Sequence, residues 1–296
     1  MISEATIPTS MSADTVIPFG FERLPVRGAL IHLARSWRRM LRDHDYGALI
    51  AETLGHAAAA TGLIAQSLKF DGVITLQIQS RGDLRMLVMQ CTSELEIRGM
   101  ASASPESSAE KFGDLIERGH CAVTVDNGQR PYQGIVDLED TSLAASLEHY
   151  FSRSVQVPSH IALVANEEVA GGLLLQQVPG HPIDSDDWSR LHFLTETLSS
   201  RDFEGDAGMS LIGKLFAEDD VRVYSSRSVN FHCRCSQTRA EDVLKMLGER
   251  EARETLAAEG VIEIICEYCG RERRFDAVDV ERLFSGNVVE GPDSVQ

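Results

Sequence analysis

Four cysteines near the end of this 296-residue chain lie in two close pairs, and their spacing constrains the fold more than any other feature. The first pair is Cys233-Arg234-Cys235 and the second is Cys266-Glu267-Tyr268-Cys269, with thirty residues between them. Zinc binds four thiolates as a tetrahedron, and two short pairs can supply them once the intervening chain folds back. We therefore predict that these four cysteines bind one zinc ion.

The two pairs also suit reversible oxidation. A disulfide within a Cys-x-Cys pair closes a small, strained ring, and strained disulfides are easily reduced. The Cys-x-x-Cys spacing is that of reversible dithiols. Because a thiol that has entered a disulfide no longer holds a metal, oxidation would release the zinc and unfold the small region that it stabilises. The alternative interpretation of the same spacing is a purely structural zinc site.

The other two cysteines and one neighbouring histidine are not predicted to be ligands. Cys91 and Cys121 lie next to predicted strands, where isolated cysteines are usually buried and unreactive. His232 directly precedes Cys233, but four thiolates already complete a tetrahedron. The predicted site therefore consists of the four paired cysteines alone.

The charge of the chain argues against two classes of partner. With 28 basic and 45 acidic residues, its formal net charge is -17, which repels phosphate backbones and anionic lipid headgroups. We find no secretory signal pattern and no continuous apolar run long enough to span a bilayer. The sequence therefore predicts a cytoplasmic protein without nucleic-acid or membrane partners, in a compartment that keeps cysteines reduced.

The first part of the chain combines one long helix with several strands. Apolar residues recur at helical spacing over 47–69. Apolar and polar residues then alternate over 74–79, and a turn at 81–83 leads into a second apolar run, which predicts a hairpin. Because helices and strands are grouped along the chain, we predict an α+β fold with a mainly antiparallel sheet covered by helices. Further predicted elements are strands at 95–98, 122–125, 134–138 and 171–178 and a helix at 142–153.

Composition changes at Pro179-Gly180, and the residues that follow predict a helical linker. Apolar residues fall at helical spacing after a cap at Asp184 or Ser185, and a second apolar stripe runs over 211–216. Two amphipathic helices without a core of their own must pack on a neighbour, either permanently or as a conditionally folded segment. The predicted divisions are a flexible tail over 1–15, a substrate-binding α+β domain over 16–180, a metastable linker over 181–230 and a zinc domain over 231–296.

Short elements are predicted around the cysteines after the linker. Thr238 and Glu241 have the spacing of a capping box, which predicts the start of a helix, and Asp276 predicts the start of the last one. A short apolar strand is predicted over 261–265, directly before Cys266. We find no catalytic triad, paired carboxylates or phosphate-binding loop in the sequence, so no enzymatic activity is predicted.

Several motifs make the chain resemble the 33 kDa heat-shock protein family, the redox-regulated holdase chaperones of bacteria. The resemblance covers nearly the whole chain after the tail. The sequence departs from the family pattern at Val155, where glutamate is usual, and at Arg273, where an aromatic residue is common. The shared motifs are the two cysteine pairs with their spacing and the stretches 67–72, 76–79, 97–99, 132–136, 148–151 and 171–176.

The resemblance implies a substrate-binding domain, a metastable linker and a zinc-binding redox switch. In such proteins the reduced form holds one zinc ion and is inactive. Oxidation forms two disulfides, which here would join Cys233 to Cys235 and Cys266 to Cys269, releases the zinc and destabilises the linker. The active form binds unfolding client proteins without a nucleotide and forms a homodimer. The resemblance thus implies an ATP-independent chaperone that oxidative stress activates.

Two other functions fit the cysteine spacing. One is a zinc-ribbon interaction module, whose binding to nucleic acid would weaken with salt, although the negative charge of the chain opposes it. The other is a thiol-disulfide oxidoreductase, for which Cys266-x-x-Cys269 is suggestive. Engagement of all four thiols by zinc argues against that activity.

Overall fold

The computed structural model describes residues 14–104, 107, 109–138, 142–204 and 208–285. Contacts divide the chain into two compact units, Met1–His232 and Cys233–Gln296. Most of the tail predicted over 1–15 lies outside the described residues. Its last two residues differ from the prediction, because Asp14 is buried and the first strand begins at Thr15.

The larger unit is built from two β sheets and a set of helices. Its strands are β1 (Thr15–Phe21), β2 (Val26–Leu33), β3 (Val73–Gln79), β4 (Leu84–Thr92), β5 (Glu96–Ala103), β6 (His120–Asp126), β7 (Tyr132–Asp137), β8 (Ser159–Ala165), β9 (Ala170–Gln177), β10 (Val221–Val223), β11 (Arg227–Ser228) and β12 (Asn230–Phe231). Its helices are α1 (Arg35–Leu41), α2 (Ala48–Ser67), α3 (Phe112–Leu115), α4 (Leu143–Tyr150), α5 (Ser185–Glu196) and α6 (Gly208–Leu215), with a π-helical turn at Phe151–Val155 and a 3-10 turn at Ser200–Phe203.

The first sheet has the strand order β10-β1-β2-β9-β8, and β11 also pairs with β1. All these pairings are antiparallel. Successive side chains of a strand point to opposite faces, so Leu174 lies in the core around α2 while Leu173 and Leu175 lie on the other face. Every residue of β9 except the last is buried, which means that both faces of this sheet are covered.

The second sheet has the strand order β12-β5-β4-β3-β6-β7. Its β3–β4 pairing confirms the predicted hairpin. Buried and partly exposed residues alternate along β3, which is the pattern of a sheet with one covered face. The more exposed face carries polar pairs, such as the Gln90 amide that donates to Thr75 Oγ1 over 3.1 Å. The two sheets together confirm the α+β class with mainly antiparallel pairing.

Helix α2 lies between the two sheets and contacts strands of both. It confirms the helix predicted over 47–69 and differs only at its ends. Among the described residues it alone is long and apolar enough to span a membrane by length and composition, which differs from the prediction that no apolar run is long enough to do so. Within its apolar window, 72% of the residues are buried inside the protein, as in the core helix of a globular domain.

A buried carboxylate fixes the first helix to the first strand. Asp14 accepts hydrogen bonds from the backbone N–H groups of Ala34, Arg35 and Ser36 over 2.7, 2.9 and 2.6 Å. These N–H groups stand at the start of α1, where the helix itself supplies no acceptor. The strand and the helix are thus joined through one side chain.

The smaller unit is a helical module with one hairpin. Its helices α7 (Gln237–Leu247), α8 (Glu249–Glu259) and α9 (Ala277–Ser285) accompany the strands β13 (Ile262–Ile265) and β14 (Glu272–Phe275). The capping box predicted at Thr238 is wrong, because Ser236 caps α7 by accepting from the Arg239 N–H. The predicted start of α9 at Asp276 is confirmed by its bonds from the Val278 and Asp279 N–H groups.

Candidate metal centre

The first cysteine pair lies in the connection between β12 and α7. Cys233, Arg234 and Cys235 precede Ser236, the residue that caps the helix. All three are partly buried. Because the cap fixes where α7 begins, it also fixes the direction in which the chain leaves Cys235.

The second pair lies in the turn of the β13–β14 hairpin. The Cys266 carbonyl accepts from the N–H groups of Cys269 and Gly270 over 3.3 and 2.8 Å, and the Cys266 N–H donates to the Arg271 carbonyl over 3.0 Å. Gly270 has a φ of 65°, in the left-handed region that favours glycine. The turn therefore curls the chain so that both thiols come from one compact loop.

The structure brings the four predicted ligands together. The Sγ atoms of Cys233, Cys235, Cys266 and Cys269 all lie within 4.8 Å of one another. The Cys233–Cys266 and Cys235–Cys269 Sγ distances are 3.6 and 3.5 Å. In a tetrahedron with Zn–S bonds of about 2.3 Å, neighbouring sulfurs lie about 3.8 Å apart. The donor set and its spacing thus fit a tetrahedral metal ion that prefers thiolates.

The most buried of these thiols is poorly suited to carry an unbalanced charge. Burial, together with hydrogen bonds to the thiols of Cys233, Cys235 and Cys266, raises the pKa of Cys269 to about 12. Without a cation, the buried sulfur therefore stays protonated at neutral pH. A coordinating metal ion reverses this preference, because the thiol that binds it loses its proton.

The small module has little apolar core with which to stabilise itself. Among the described residues, its core consists of six buried side chains from its three helices and its hairpin: Ala240, Leu244, Ala252, Ile262, Phe275 and Val280. Modules of this size commonly depend on a metal or disulfides. The fold of the module is therefore expected to follow the state of the four thiols.

Two of the arginines near the cysteines, Arg273 and Arg274, bind other side chains. Arg274 forms ion pairs with Glu263 and Glu272, and Glu272 raises its pKa. Arg273 donates to Gln237 Oε1 over 3.3 Å. The Arg274 charge is therefore balanced by carboxylates at the surface.

The residues that were not predicted as ligands lie outside the cluster. Cys91 and Cys121 are fully buried in β4 and β6 of the larger unit, and burial raises the pKa of each thiol to about 12. The His232 Nδ1 lies 2.7 Å from Glu96 Oε1. The prediction that Cys91 and Cys121 are buried is thus confirmed, and their raised pKa values agree with the prediction that they are unreactive.

Helices of the linker cover the outer face of the first sheet. Leu191 of α5, Phe203 of the 3-10 turn and Ile212 of α6 are buried in one cluster with Phe19, Leu30, Leu173 and Leu175 of the sheet. Asp184 caps α5, as predicted, by accepting from the Asp186 N–H over 2.8 Å. The two predicted apolar stripes are therefore the faces that pack on the sheet.

Polar contacts also fix the linker. The Arg190 guanidinium binds both carboxylate oxygens of Asp219 over 2.9 and 2.7 Å, which joins α5 to the end of α6. The His192 ring lies on the buried His160 ring of β8 with 3.8 Å between ring centroids. The Phe203 carbonyl lies 2.9 Å from His32 Nε2. These contacts could not be predicted from the sequence, because their partners are far apart in the chain.

A short strand just before the first cysteine was also missed. Asn230–Phe231 forms β12, which pairs in parallel with Glu96–Ile97 of β5. Two residues are too few for an alternating pattern, although Val229 and Phe231 as two apolar residues around Asn230 were a signal in the sequence. The larger unit thus ends in a strand that leads straight to Cys233.

Comparisons with known proteins agree with this architecture. The family model described as Hsp33 protein matches residues 14–276. The 33 kDa chaperonin of Methylobacillus flagellatus is 38% identical over 282 residues, which cover 94% of this chain and 96% of the relative. The 33 kDa chaperonin of Nitrosococcus oceani is 39% identical over 276 residues, which cover 93% of this chain and 96% of the relative.

A solved structure has the same fold. The crystal structure of the 33 kDa chaperonin from Thermotoga maritima superimposes with a TM-score of 0.80 and covers 93% of this chain and 99% of its own. The two sequences are 23% identical, so this similarity concerns the fold.

Proposed function

The chain belongs to the Hsp33 family, and we propose that it is an ATP-independent chaperone that thiol oxidation activates. Its relatives carry the name 33 kDa chaperonin, which supports chaperone activity and gives no support to an enzyme. Its partners would be unfolding proteins of the cytoplasm, bound without a nucleotide, and the active form would be a homodimer. The four clustered thiols support control by oxidation.

The observation that carries this proposal is the cover that the linker forms over the first sheet. Phe19, Leu30 and Leu173 are at most 1% exposed because the linker helices lie on them. Fully burying one such side chain contributes roughly 1.5–3 kcal/mol, so their exposure would create a strongly apolar surface. Unfolding proteins expose apolar segments that such a surface can bind.

The cysteine module would control how firmly the linker stays folded. In the reduced protein, Cys233, Cys235, Cys266 and Cys269 are the residues that would hold one Zn²⁺. The bound ion would supply folding free energy to a module with a small core and keep the thiols deprotonated. The linker is continuous with this module through β12, so a folded module limits the freedom of the linker's end.

Oxidation would remove the four donors in two steps of the same kind. Hydrogen peroxide would take two electrons from a pair of these thiolates, one S–S bond would form, and the O–O bond would break to give two molecules of water, with two protons taken from the solvent. We assign the pairs as Cys233 with Cys235 and Cys266 with Cys269, on the basis of the family resemblance. Each step leaves the module with fewer thiolates, so the metal leaves and the module loses its main source of stability.

The test is light scattering from a thermally unfolding enzyme, without nucleotide, in the presence of the full-length protein in three states. These are reduced with zinc, reduced with zinc removed by a chelator, and oxidised with zinc released. We expect strong suppression of aggregation by the oxidised state and at least tenfold less by the reduced zinc-loaded state at equal concentration. The chelated state separates metal loss from disulfide formation.

Each result of this test has a definite meaning. Equal suppression by all three states would leave a chaperone without a redox switch. If no state suppresses aggregation, the chaperone proposal is contradicted. The zinc-ribbon and oxidoreductase interpretations would then have to be tested. Salt-sensitive binding of nucleic acid and catalytic turnover of a dithiol would then distinguish those two.

A further inference from the structure

The short strand β12 covers one end of an edge that β5 would otherwise expose. The Asn230 N–H donates to the Leu95 carbonyl and the His232 N–H donates to the Ile97 carbonyl, each over 3.0 Å. This pairing is parallel, whereas every other pairing of the second sheet is antiparallel. In the part of the chain that the structure describes, β12 is the only strand on this side of β5.

Two apolar side chains hold β12 in place, one directly before the strand and one at its second residue. Val229 is buried in the main core of the larger unit, and Phe231 packs against the same core. The Arg39 guanidinium lies over the Phe231 ring, 5.5 Å from its centroid. Between them, Asn230 is exposed. The edge therefore accepts an extended segment with apolar residues at alternate positions.

A separate group covers the other end of this edge. The Ala101 N–H of β5 donates to the Tyr46 hydroxyl over 3.1 Å. Unpaired strand edges readily pair with other extended chains, and proteins usually cover them. The first residues of β5 are therefore covered by a two-residue strand at the edge of the sheet, and its departure would break none of the pairings between the antiparallel strands.

The end of β12 is joined directly to the cysteine cluster. His232, whose N–H makes the last hydrogen bond of β12, is followed in the chain by Cys233. A change in the backbone at Cys233 therefore acts on the adjacent residue of the strand. The linker helices cover the first sheet through apolar side chains. Strand β12, in contrast, covers the edge of the second sheet through backbone hydrogen bonds.

We propose that β12 is a displaceable plug and that the edge of β5 at Leu95–Ile97 binds extended client segments by strand addition once β12 has left. This inference rests on the proposed function and specifies a class of client. Such clients carry apolar residues at positions i and i+2, like Val229 and Phe231. Main-chain hydrogen bonds supply the binding and the two side-chain positions supply the selectivity.

The probe is a labelled peptide with the protein's own sequence over residues 226–232, whose binding to the full-length protein is measured by fluorescence anisotropy. We expect the oxidised protein to bind it at least tenfold more tightly than the reduced zinc-loaded protein. Methylation of the peptide nitrogens that correspond to Asn230 and His232 removes both hydrogen-bond donors. We expect it to weaken the binding of the peptide by about tenfold or more. Exchange of the Asn230 and Phe231 positions in the peptide makes the apolar residues adjacent, and this should have the same effect.

A variant tests the plug without oxidation. In Val229→Ser/Phe231→Ser the strand loses both of its apolar anchors, so the reduced zinc-loaded protein should bind the peptide. The control is Val243→Ser, which makes the same change on α7 at a residue that is 46% exposed. Zinc content and circular dichroism show whether the double variant has folded. If it has not, the difference in peptide binding between oxidised and reduced wild type alone tests the proposal.

The outcomes separate this inference from the proposed function. If the oxidised protein suppresses aggregation but binds the methylated or exchanged peptide as tightly as the parent peptide, strand addition is overturned and the chaperone remains. Equal binding of the parent peptide to the reduced and oxidised proteins also overturns the plug. If aggregation is not suppressed by any state, the proposed function itself has failed.

Discussion

The Phe203 ring of the linker lies directly against Gly171 of β9, and a methyl group on that glycine would overlap the ring. Gly171 pairs with His32 on one side and with Val164 on the other, so it lies in the middle of the sheet. Phe203 is fully buried there. The aromatic ring of the linker therefore packs directly on the backbone of this glycine, which has no side chain to displace it.

Gly171→Ala should loosen the linker while the sheet stays paired. Overpacking of this kind costs typically 1–3 kcal/mol, and here the cost falls on the contact between Phe203 and the sheet. We expect the reduced zinc-loaded variant to bind an apolar dye and to suppress client aggregation without oxidation. Dye fluorescence and light scattering measure these two effects.

Gly213→Ala is the matched control for that change. It makes the same substitution within α6 of the linker, but the added methyl group meets no other atom within 4 Å. Alanine in place of glycine inside a helix stabilises it by roughly 0.5–1 kcal/mol. This variant should therefore need more oxidant for activation. If both variants shift activation in the same direction, the packing of Phe203 does not control the linker.

Asp219→Asn should also favour release of the linker. Asp219 is 11% exposed and binds the Arg190 guanidinium with both carboxylate oxygens. The loss of this charged pair should cost the linker roughly 1–3 kcal/mol, measured as faster proteolysis within 181–230 in the reduced protein. Glu254→Gln removes an exposed pair with Arg250 and should change proteolysis little. Equal rates for both variants would mean that the Arg190 pair does not hold the linker.

The cysteines should divide into four that hold zinc and two that do not. Cys266→Ala removes one donor of the cluster, so its zinc should pass to a colorimetric chelator at concentrations at least tenfold lower than for wild type. Cys121→Ala, whose thiol is buried in β6, should retain zinc and redox activation. Once a chelator has removed the zinc, and with it the main stabilisation of the small module, a thiol reagent at neutral pH should find four reactive thiols, and six after denaturation of the whole chain. Loss of zinc from the Cys121 variant would contradict the assignment.

Acid should destabilise the larger unit through His56 of α2. Burial lowers the pKa of His56 to about 4, from 6.5 for an unperturbed histidine. Between these values the unfolded chain takes up a proton that the folded chain does not. The stabilisation is therefore complete above pH 6.5 and is lost as the pH falls towards 4, by on the order of 2 kcal/mol.

Urea unfolding at pH 7 and pH 5 measures this effect. His56→Gln cannot take up the proton, so its free energy of unfolding should fall less between the two values than that of wild type. His120→Gln removes an exposed histidine and should keep the wild-type difference. If the His56 variant has the same acid sensitivity as wild type, the loss of stability arises elsewhere.

Patterns within one segment predicted much of this structure. The helical spacing over 47–69 gave α2, the alternation over 74–79 gave β3 and its hairpin, and Asp184 gave the start of α5. The two cysteine pairs identified the four thiols that come together. In each case the information lies within a few residues, or in a residue type whose chemistry is specific.

Features that depend on distant partners could not be predicted in this way. Strands β1, β2 and β8 were not recognised. The pairing of β2 with β9 joins parts of the chain more than a hundred residues apart. Strands β1 and β8 pair with neighbouring segments, but buried and exposed residues do not alternate strictly along them. The role of Asp14 depends on N–H groups about twenty residues away. The capping box at Thr238 was wrong because the helix begins two residues earlier, where Ser236 accepts from the Arg239 N–H.

The burial of α2 has a consequence for how the protein is made. Its residues leave the ribosome before β3 to β9, the strands that cover most of it, because synthesis runs from the N-terminus. Until residue 177 has emerged, the nascent chain carries a helix that meets the length and apolarity of a membrane segment. The newly made chain therefore presents to the cell's targeting and folding factors the same kind of exposed apolar segment that the finished protein is proposed to bind in others.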